Sequence, residues 1–315
     1  MKLNTSPPLR ARKVSVKYGD LYGVRDVDVD LDPGEILGII GPNGAGKTSL
    51  IECIEGLRKG SAGEIRLFGL DPIKHRGKLA ARIGVQLQPT SYPSRTRVNE
   101  LCELFTGFYE SPRSFADLLA QFGLDARRTE YVDRLSGGEQ QKLSLVLALI
   151  GRPEILFLDE LTTGLDPVAR RATWEILRTL SEAGTAIVLT SHHMDEVETL
   201  CDRVMLLVDG AVRESGTVKH FIDQCSDWNH YVLDANIGDR LDLDTLQRLN
   251  HVTAAERQGR RIVLRGPYPA GHDAIAAAVR DHGGDPSQIR HKSPSMEDAF
   301  IYLTGLAPEE GSNAR

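Results

Sequence analysis

The order of apolar and polar positions along the chain predicts a mixed α/β protein. Between Val14 and Leu31 apolar residues alternate with polar ones, which is typical of half-buried strands and predicts an antiparallel edge sheet. Asp209-Gly210, between apolar neighbours, predicts a hairpin at 208–212. Continuous apolar runs separated by helical patterns indicate a parallel sheet buried on both faces, and they lie at 35–40, 155–158, 186–190 and 204–208.

Two regions depart from this rhythm. Residues 89–151 have helical periodicity and no convincing strand, which predicts a mostly helical insert, with apolar positions such as Leu101, Leu104, Phe105 and Phe108. After Gly216, strand-like runs at 231–235 and 261–265, an Ala-rich helix near 272–282 and a last helix from Ser295 predict a small α+β domain. The expected organisation is flexible tails at 1–9 and 306–315, an α/β domain at 10–220 containing the helical insert, and an α+β domain at 221–305.

Composition narrows the class of partner and compartment. The chain has 315 residues, of which 41% are apolar, enough for one large domain and a smaller one. Its formal net charge is -6 and its basic residues are scattered, which argues against nucleic acid as a partner. Four widely spaced cysteines predict reduced thiols. With no signal-like region and no apolar stretch long enough to span a bilayer, we expect neither secretion nor membrane insertion.

The segment GPNGAGKT at 41–48 carries the clearest chemical signal. It matches G-x-x-x-x-G-K-[ST] between a strand pattern and a helical pattern, which is the context this phosphate-binding motif requires. Its glycines let backbone N–H groups face a β-phosphate, Lys47 can reach the β- and γ-oxygens, and the Thr48 hydroxyl can ligate Mg²⁺. The residues predicted to contact the nucleotide here are Gly41, Pro42, Asn43, Gly44, Ala45, Gly46, Lys47, Thr48 and Ser49.

Two further segments bear on the same chemistry. The apolar run ILFL ends in Asp159, suited to Mg²⁺, and Glu160, which could polarise an attacking water. In LSGGEQQ at 135–141, Ser136 and Glu139 have the spacing of a capping box before a buried helical run. The glycines between them leave backbone N–H groups open to an anion. This segment therefore predicts a second phosphate receptor, which makes sense if it serves the ATP of a partner subunit.

Six segments in this order resemble the ATP-binding subunits of ABC transporters, over about residues 10–220: GPNGAGKT, IGVQLQP, LSGGEQQ, ILFLDE, TTGLDP at 162–167 and TSHHMDE at 190–196. The resemblance implies a P-loop NTPase with a RecA-like core, an antiparallel β subdomain and a helical insert. It also implies that two copies, or two homologous subunits, close head to tail around two ATP molecules. The motif Ser136, Gly137, Gly138 and Glu139 of one copy then faces the γ-phosphate bound by the other.

The resemblance further implies roles for single residues. Tyr18 matches the aromatic residue that stacks on adenine. Gln88 matches the loop glutamine that contacts Mg²⁺ or its water and links to the membrane partner, with Gln86 as the alternative. His192 matches the switch histidine that holds the attacking water with Glu160. The implied catalytic set is Glu160, His192 and Gln88, and the implied Mg²⁺ ligands are Thr48, Gln88 and Asp159.

Three neighbouring positions have a simpler or a different interpretation. His193 is predicted to be a surface residue at the start of the next helix. Asp166 can touch the opposing subunit, as the resemblance implies, or cap a helix that begins at Pro167, and both can hold together. Leu161 stands where the family has proline, so we expect a looser placement of Glu160 without loss of hydrolysis.

The C-terminal segment SMEDAFIYLTG at 295–305 resembles that of the bacterial drug- and antibiotic-exporter group of ABC-2 type, which is daunorubicin-resistance-like. The resemblance implies an ATPase at the cytoplasmic side of the plasma membrane that drives export of a drug, antibiotic or lipid-like substrate through a separate six-span permease. The alternatives are an importer ATPase or a soluble ABC ATPase acting on ribosomes or DNA. A kinase with the same loop would not explain LSGGEQQ. The sequence does not specify the cargo.

Overall fold

A computed structural model describes residues 7–86, 92, 95–161, 164–234 and 241–306. The chain divides into two compact units, Met1–Thr217 and Val218–Arg315. None of the helices in this described part combines the length and the apolar character needed to cross a membrane.

The core of the first unit is a six-stranded sheet with the order β5-β6-β7-β3-β8-β9. The first five strands in this order, β5, β6, β7, β3 and β8, run parallel, and β9 pairs antiparallel with β8. The four continuous apolar runs are therefore strands, as predicted, and Asp209 and Gly210, with φ of 50° and 78°, form the predicted hairpin turn. The strands are β3 (Ile36–Ile40), β5 (Ile83–Val85), β6 (Ile155–Asp159), β7 (Ala186–Thr190), β8 (Arg203–Val208) and β9 (Ala211–Gly216).

A second, antiparallel sheet covers this unit with the order β2-β1-β4, formed by β1 (Leu9–Tyr18), β2 (Leu21–Leu31) and β4 (Ala62–Leu67). Val14 pairs with Val27 and Val16 with Val24, and all four side chains are buried in one core with the first helix. The alternation between Val14 and Leu31 thus predicted the β1–β2 pair correctly. Strand β4 was not predicted, because half of its residues are exposed and the strand gives no alternating pattern.

The helices of the first unit are α1 (Lys47–Ile54), α2 (Arg76–Leu79), α3 (Val98–Thr106), α4 (Phe115–Gln121), α5 (Gly137–Ile150), α6 (Pro167–Glu182) and α7 (Met194–Leu200). Helices α3, α4 and α5 pack on one another. Between 95 and 151 the described residues form helices and turns and a single isolated bridge, Arg97 to Tyr131. Every residue of α5 from Leu143 to Ile150 is buried, so the helix lies inside the unit rather than on its surface.

The second unit is built on a four-stranded antiparallel sheet with the order β11-β12-β10-β13. Its chain order from β10 is β-α-β-β-α-β, the split β-α-β arrangement. Tyr231, Leu264 and Ile275 lie in its core. The elements are α8 (Val218–Gln224), β10 (Asn229–Leu233), α9 (Leu243–Gln247), β11 (Ala254–Gln258), β12 (Arg261–Gly266), α10 (Ala270–Asp281), β13 (Arg290–Lys292) and α11 (Met296–Thr304).

The last helix begins as the sequence predicts. Ser295 is the N-cap of α11, its hydroxyl lies 2.7 Å from a carboxylate oxygen of Asp298, and that carboxylate accepts the Ser295 N–H. His230 contacts the same carboxylate at 2.7 Å. Burial opposes the charged form of Asp298, but the bonds from His230 and Ser295 outweigh it and lower the pKa of Asp298 to about 2. The helix start is therefore tied to β10 by the contact between His230 and Asp298.

Candidate functional site

The loop between β3 and α1 can be formed only with glycine at two of its positions. Gly41 has φ of 152°, and a Cβ there would lie 2.1 Å from the carbonyl oxygen of Leu207. Gly46 has φ of 98°, and a Cβ there would lie 2.0 Å from the carbonyl oxygen of Gly23. The loop is thus held against β8 and β2 by contacts with the glycine backbone.

Lys47 lies across this loop. Its Nζ donates to the carbonyl oxygens of Gly41 at 2.7 Å and Pro42 at 3.0 Å. The first N–H groups of α1 precede its first helical bond, from Leu50 N–H to the Gly46 carbonyl at 2.9 Å. An ammonium group and a helix N-terminus therefore meet at one loop, which is an arrangement that binds phosphate. Pro42, Asn43, Gly44 and Ala45 complete the loop between them, as the motif requires.

Tyr18 reaches the same place from the end of β1. Its hydroxyl lies 2.8 Å from Oγ of Ser49, on the first turn of α1, and 48% of the residue is exposed. The structure therefore places the aromatic ring beside the first turn of the helix that follows the phosphate loop.

The carboxylates and the histidine lie at the ends of neighbouring parallel strands. Asp159 ends β6, and its carboxylate accepts a hydrogen bond from the Thr190 hydroxyl at the end of β7. Glu160 follows with φ of 50°, and its N–H donates to the Thr190 carbonyl at 3.2 Å. Nδ1 of His192 lies 3.6 Å from Oε1 of Glu160, with both side chains partly exposed. Because the carboxyl ends of adjacent parallel strands meet at one edge, two separate motifs form one cluster.

Two residues lie beside this cluster, and one of them, His193, is more buried than expected. His193 is the N-cap residue of α7, as expected, but it is half-buried rather than on the surface. Burial, followed by the charges of His192 and Arg170, lowers the pKa of His193. Leu161 is 1% exposed, so the turn after Glu160 is anchored by an apolar side chain where the family has a proline.

The second glycine-rich segment is a capping box. Ser136 is the N-cap of α5, and the Glu139 carboxylate lies 2.9 Å from both the Ser136 N–H nitrogen and its hydroxyl. Arg127 Nε donates to the other Glu139 oxygen at 2.8 Å. The Ser136 backbone bond, opposed by some burial and reinforced by Arg127, lowers the pKa of Glu139.

The two glycines of this segment differ in their surroundings. A Cβ at Gly137 would meet no described atom within 4 Å, whereas one at Gly138 would lie 3.3 Å from the Gly164 carbonyl oxygen. Gly164 belongs to the turn before Asp166, which caps α6 by accepting the N–H groups of Val168 and Ala169 at 2.9 Å each. The local interpretation of Asp166 as an N-cap before Pro167 is confirmed.

Only one of the two candidate loop glutamines lies in the part of the chain that the structure describes. Gln88 lies outside the described residues. Gln86 is 3% exposed, and its Nε2 donates to Oε1 of Gln141, the last residue of LSGGEQQ, at 2.6 Å. This bond joins the residue after β5 to α5, the helix that begins within LSGGEQQ. The sequence did not predict it, because the two residues are 55 positions apart.

A second feature that the sequence did not predict is the burial of Glu55 at the end of α1. This residue is only 9% exposed. Burial, reinforced by the charges of Asp159 and Glu52, raises the pKa of Glu55 to about 8. The sequence offered one signal, since Glu55 directly follows the apolar residues Cys53 and Ile54.

The residues present fit Mg²⁺. Thr48 and Asp159 offer a hydroxyl and a carboxylate, the oxygen ligands that Mg²⁺ prefers. Within the described ranges, no group of three or more His, Cys, Asp or Glu could hold a metal by itself. Mg²⁺ commonly binds through one or two carboxylates together with substrate phosphates, so a site completed by a nucleotide is consistent with this set.

A parallel sheet with a glycine-rich loop before α1 and carboxylates at the end of β6 defines a P-loop nucleoside triphosphatase. Residues 24–163 match the family model described as ABC transporter. The chain is 34% identical over 305 residues to the Nod factor export ATP-binding protein I of Cupriavidus metallidurans, covering 94% of this chain and 97% of that protein. It is 30% identical to the daunorubicin resistance ATP-binding protein DrrA3 of Streptomyces coeruleorubidus, covering 92% and 93%.

Solved structures agree in fold. The ATP-binding subunit of an ABC transporter superposes with a TM-score of 0.64 at 26% identity, covering 69% of this chain and 92% of that chain. A dimeric bacterial ABC transporter cassette superposes with a TM-score of 0.61 at 23% identity, covering 66% and 98%. The chain belongs to the ATP-binding subunits of ABC transporters, and it is an ABC-type ATPase.

Proposed function

We propose that two copies of this chain, or this chain and a homologous subunit, close head to tail around two ATP molecules and drive export through a separate six-span membrane permease. The exported compound would be a drug, antibiotic or lipid-like molecule, and the ATPase would lie at the cytoplasmic side of the plasma membrane. The names of the relatives, Nod factor export and daunorubicin resistance, favour export over import.

The proposal of a dimer rests on the surroundings of Gly137, which are more open than those of its neighbours. The N-terminus of α5 is capped within the chain by Ser136 and Glu139, yet a Cβ at Gly137 would meet no described atom within 4 Å outside its chain neighbours and the backbone of its own helix. Such an open, positively polarised helix start suits a phosphate group brought by a partner.

Within each site the residues would have separate roles in binding ATP and Mg²⁺. Lys47 and the loop amides would bind the β- and γ-phosphates, Tyr18 would stack on adenine, and Thr48, Asp159 and Gln88 would hold Mg²⁺. Mg²⁺, when bound, would neutralise phosphate charge.

Hydrolysis would depend on the cluster at the ends of β6 and β7. Glu160 would accept a proton from the attacking water, and His192 would hydrogen-bond the γ-phosphate. The 3.6 Å between His192 and Glu160 is long for a hydrogen bond, and such contacts commonly tighten only in the closed complex. Closure around ATP and reopening after hydrolysis would move the permease through the loop that carries Gln88.

The dimer is tested with Glu160→Gln. We expect ATP-dependent dimers by size-exclusion chromatography with light scattering, and turnover reduced by at least about 100-fold, because water is no longer activated. Glu182→Gln, the same change at an exposed position at the end of α6, is the control and should behave as the native chain. Unchanged turnover in Glu160→Gln would contradict the assignment of Glu160.

The export step is tested separately. Cells that express the native chain with a permease from the neighbouring reading frame should release a supplied compound, and Lys47→Ala should abolish release. Copurification with ribosomes instead of a membrane protein, or ATP-dependent uptake, would favour one of the alternatives.

A further inference from the structure

The ring of Tyr18 is held by its surroundings at three places. Its hydroxyl lies 2.8 Å from Oγ of Ser49. Along one edge the backbone of Gly23 passes so close that a Cβ there would lie 2.7 Å from Cε2 of the ring. Over one face lies the guanidinium of Arg58, with Cζ 5.1 Å from the ring centroid. A ring held at its hydroxyl, at one edge and over one face has a defined orientation.

Arg58 is itself anchored to the phosphate-loop helix. Its Nε donates to Oε2 of Glu52 at 2.6 Å, and both side chains are about one third exposed. Glu52 and Ser49 are three residues apart on α1, so they lie on the same face of that helix. The helix that begins at the phosphate loop therefore fixes Tyr18 twice, directly through Ser49 and indirectly through Glu52 and Arg58.

We propose that Arg58 is a positioning residue for the nucleotide base, a role that rests on the proposed stacking of adenine on Tyr18. Arg58 lies over one face of the ring, and 48% of Tyr18 remains exposed, which leaves part of the residue accessible to a planar ligand. A guanidinium on an aromatic ring is attracted to it, which holds the ring in one orientation before the nucleotide arrives. The ion pair of Arg58 with Glu52 alone would contribute little at a surface site. Through its place over Tyr18, Arg58 would act on the base, while the phosphate loop would bind the phosphates.

The test compares ATP with inorganic tripolyphosphate, which lacks the base, by calorimetric titration of the full chain in the presence of Mg²⁺. Arg58→Gln should weaken ATP binding about two- to fivefold and leave tripolyphosphate binding unchanged. Arg58→Lys, which keeps a cation, should recover part of the loss. Lys59→Gln removes the same charge at the adjacent exposed position and should change neither ligand.

Other outcomes separate this inference from the proposed function. Equal loss for ATP and tripolyphosphate would mean a simple charge effect, and tighter ATP binding would mean that Arg58 occupies the place of the base. Either result overturns the inference. So does unchanged ATP binding in Arg58→Gln when Tyr18→Ala weakens ATP about tenfold. If Tyr18→Ala leaves ATP binding unchanged, the stacking role fails and the inference fails with it.

Discussion

The two glycine-rich helix starts of this chain satisfy their backbone N–H groups in opposite ways. Helix α1 begins after Gly46, which has φ of 98° and no side chain with which to cap the helix. Helix α5 begins after Ser136, whose hydroxyl accepts the Glu139 N–H while the Glu139 carboxylate accepts the Ser136 N–H. The first start has no side-chain cap, and the second is capped by its own residues while the Gly137 backbone stays open.

Because of this difference, we expect the two segments to contribute differently to the binding of ATP. A helix N-terminus without a side-chain cap gains most from a phosphate, so the phosphate loop should carry the affinity of one subunit for ATP. The capped start of α5 is stable without ligand and should act only when a second subunit brings a phosphate to Gly137. The following predictions test this contrast.

The largest effect is expected at Gly46. Gly46→Ala would place a Cβ 2.0 Å from the Gly23 carbonyl oxygen at a φ of 98°, so we expect about 3 kcal/mol or more of lost stability and no measurable ATP binding. Gly44→Ala is the matched control, since it also has positive φ, of 78°, but its Cβ meets no described atom within 4 Å. Urea unfolding and ATP titration of both variants measure the effect. Equal losses in the two variants would contradict the role of the close contact.

At Gly137 we expect a large effect on turnover and almost none on stability. Gly137→Asp places a carboxylate in open space, where it would repel a γ-phosphate, so turnover should fall at least about 100-fold while ATP binding to one subunit changes little. Gly137→Ala, which adds no charge, is the control and should keep most of its turnover. Phosphate release, ATP titration and melting temperature are the measurements. Full turnover in Gly137→Asp would refute the head-to-tail dimer.

The far end of α1 gives a pH-dependent effect. Burial raises the pKa of Glu55 from 4.5 to about 8, so the folded chain binds this proton more tightly than the unfolded chain does. The stability from the protonated acid is therefore fully present below pH 4.5 and is lost as the pH rises towards 8. Between pH 5 and pH 8 the native chain should lose about 3 kcal/mol more stability than Glu55→Gln, measured by urea unfolding. Parallel pH profiles would contradict the raised pKa.

The smallest effect is expected at the cap of α5. Ser136→Ala removes one partner of the capping box and should cost about 1 kcal/mol of stability in the first unit. Ser295→Ala removes the same kind of cap from α11 and should destabilise the second unit by a similar amount. Calorimetric melting of both variants measures the loss. A loss above that of Gly46→Ala would reverse the contrast between the two helix starts.

Local sequence patterns predicted the core strands and the phosphate loop, because each depends on residues close together in the chain. The apolar runs of β3, β6, β7 and β8, the glycines of the loop and the caps at Ser136, Asp166 and Ser295 are of this kind. The roles of all the predicted site residues stay predictions, including those of Lys47, Glu160 and His192 as well as Tyr18, Gln88 and Asp159.

Features that depend on distant residues were not predicted. The pairing of Gln86 with Gln141, the burial of Glu55 and the position of Arg58 over Tyr18 arise only when strands and helices pack together. Short strands were missed too, since β13 has three exposed residues and leaves no periodic signal. Periodicity reports which face of an element is buried, and it does not report which partner covers that face.

The bond between Gln86 and Gln141 joins an edge strand to a helix through two amides. Neither amide ionises, so the strength of this hydrogen bond does not change with proton concentration. A hydrogen bond between neutral groups is also little affected by dissolved ions. The surface ion pairs of the chain, such as Arg82 with Glu154, are weakened by salt. This junction therefore keeps its geometry across changes in acidity and ionic strength.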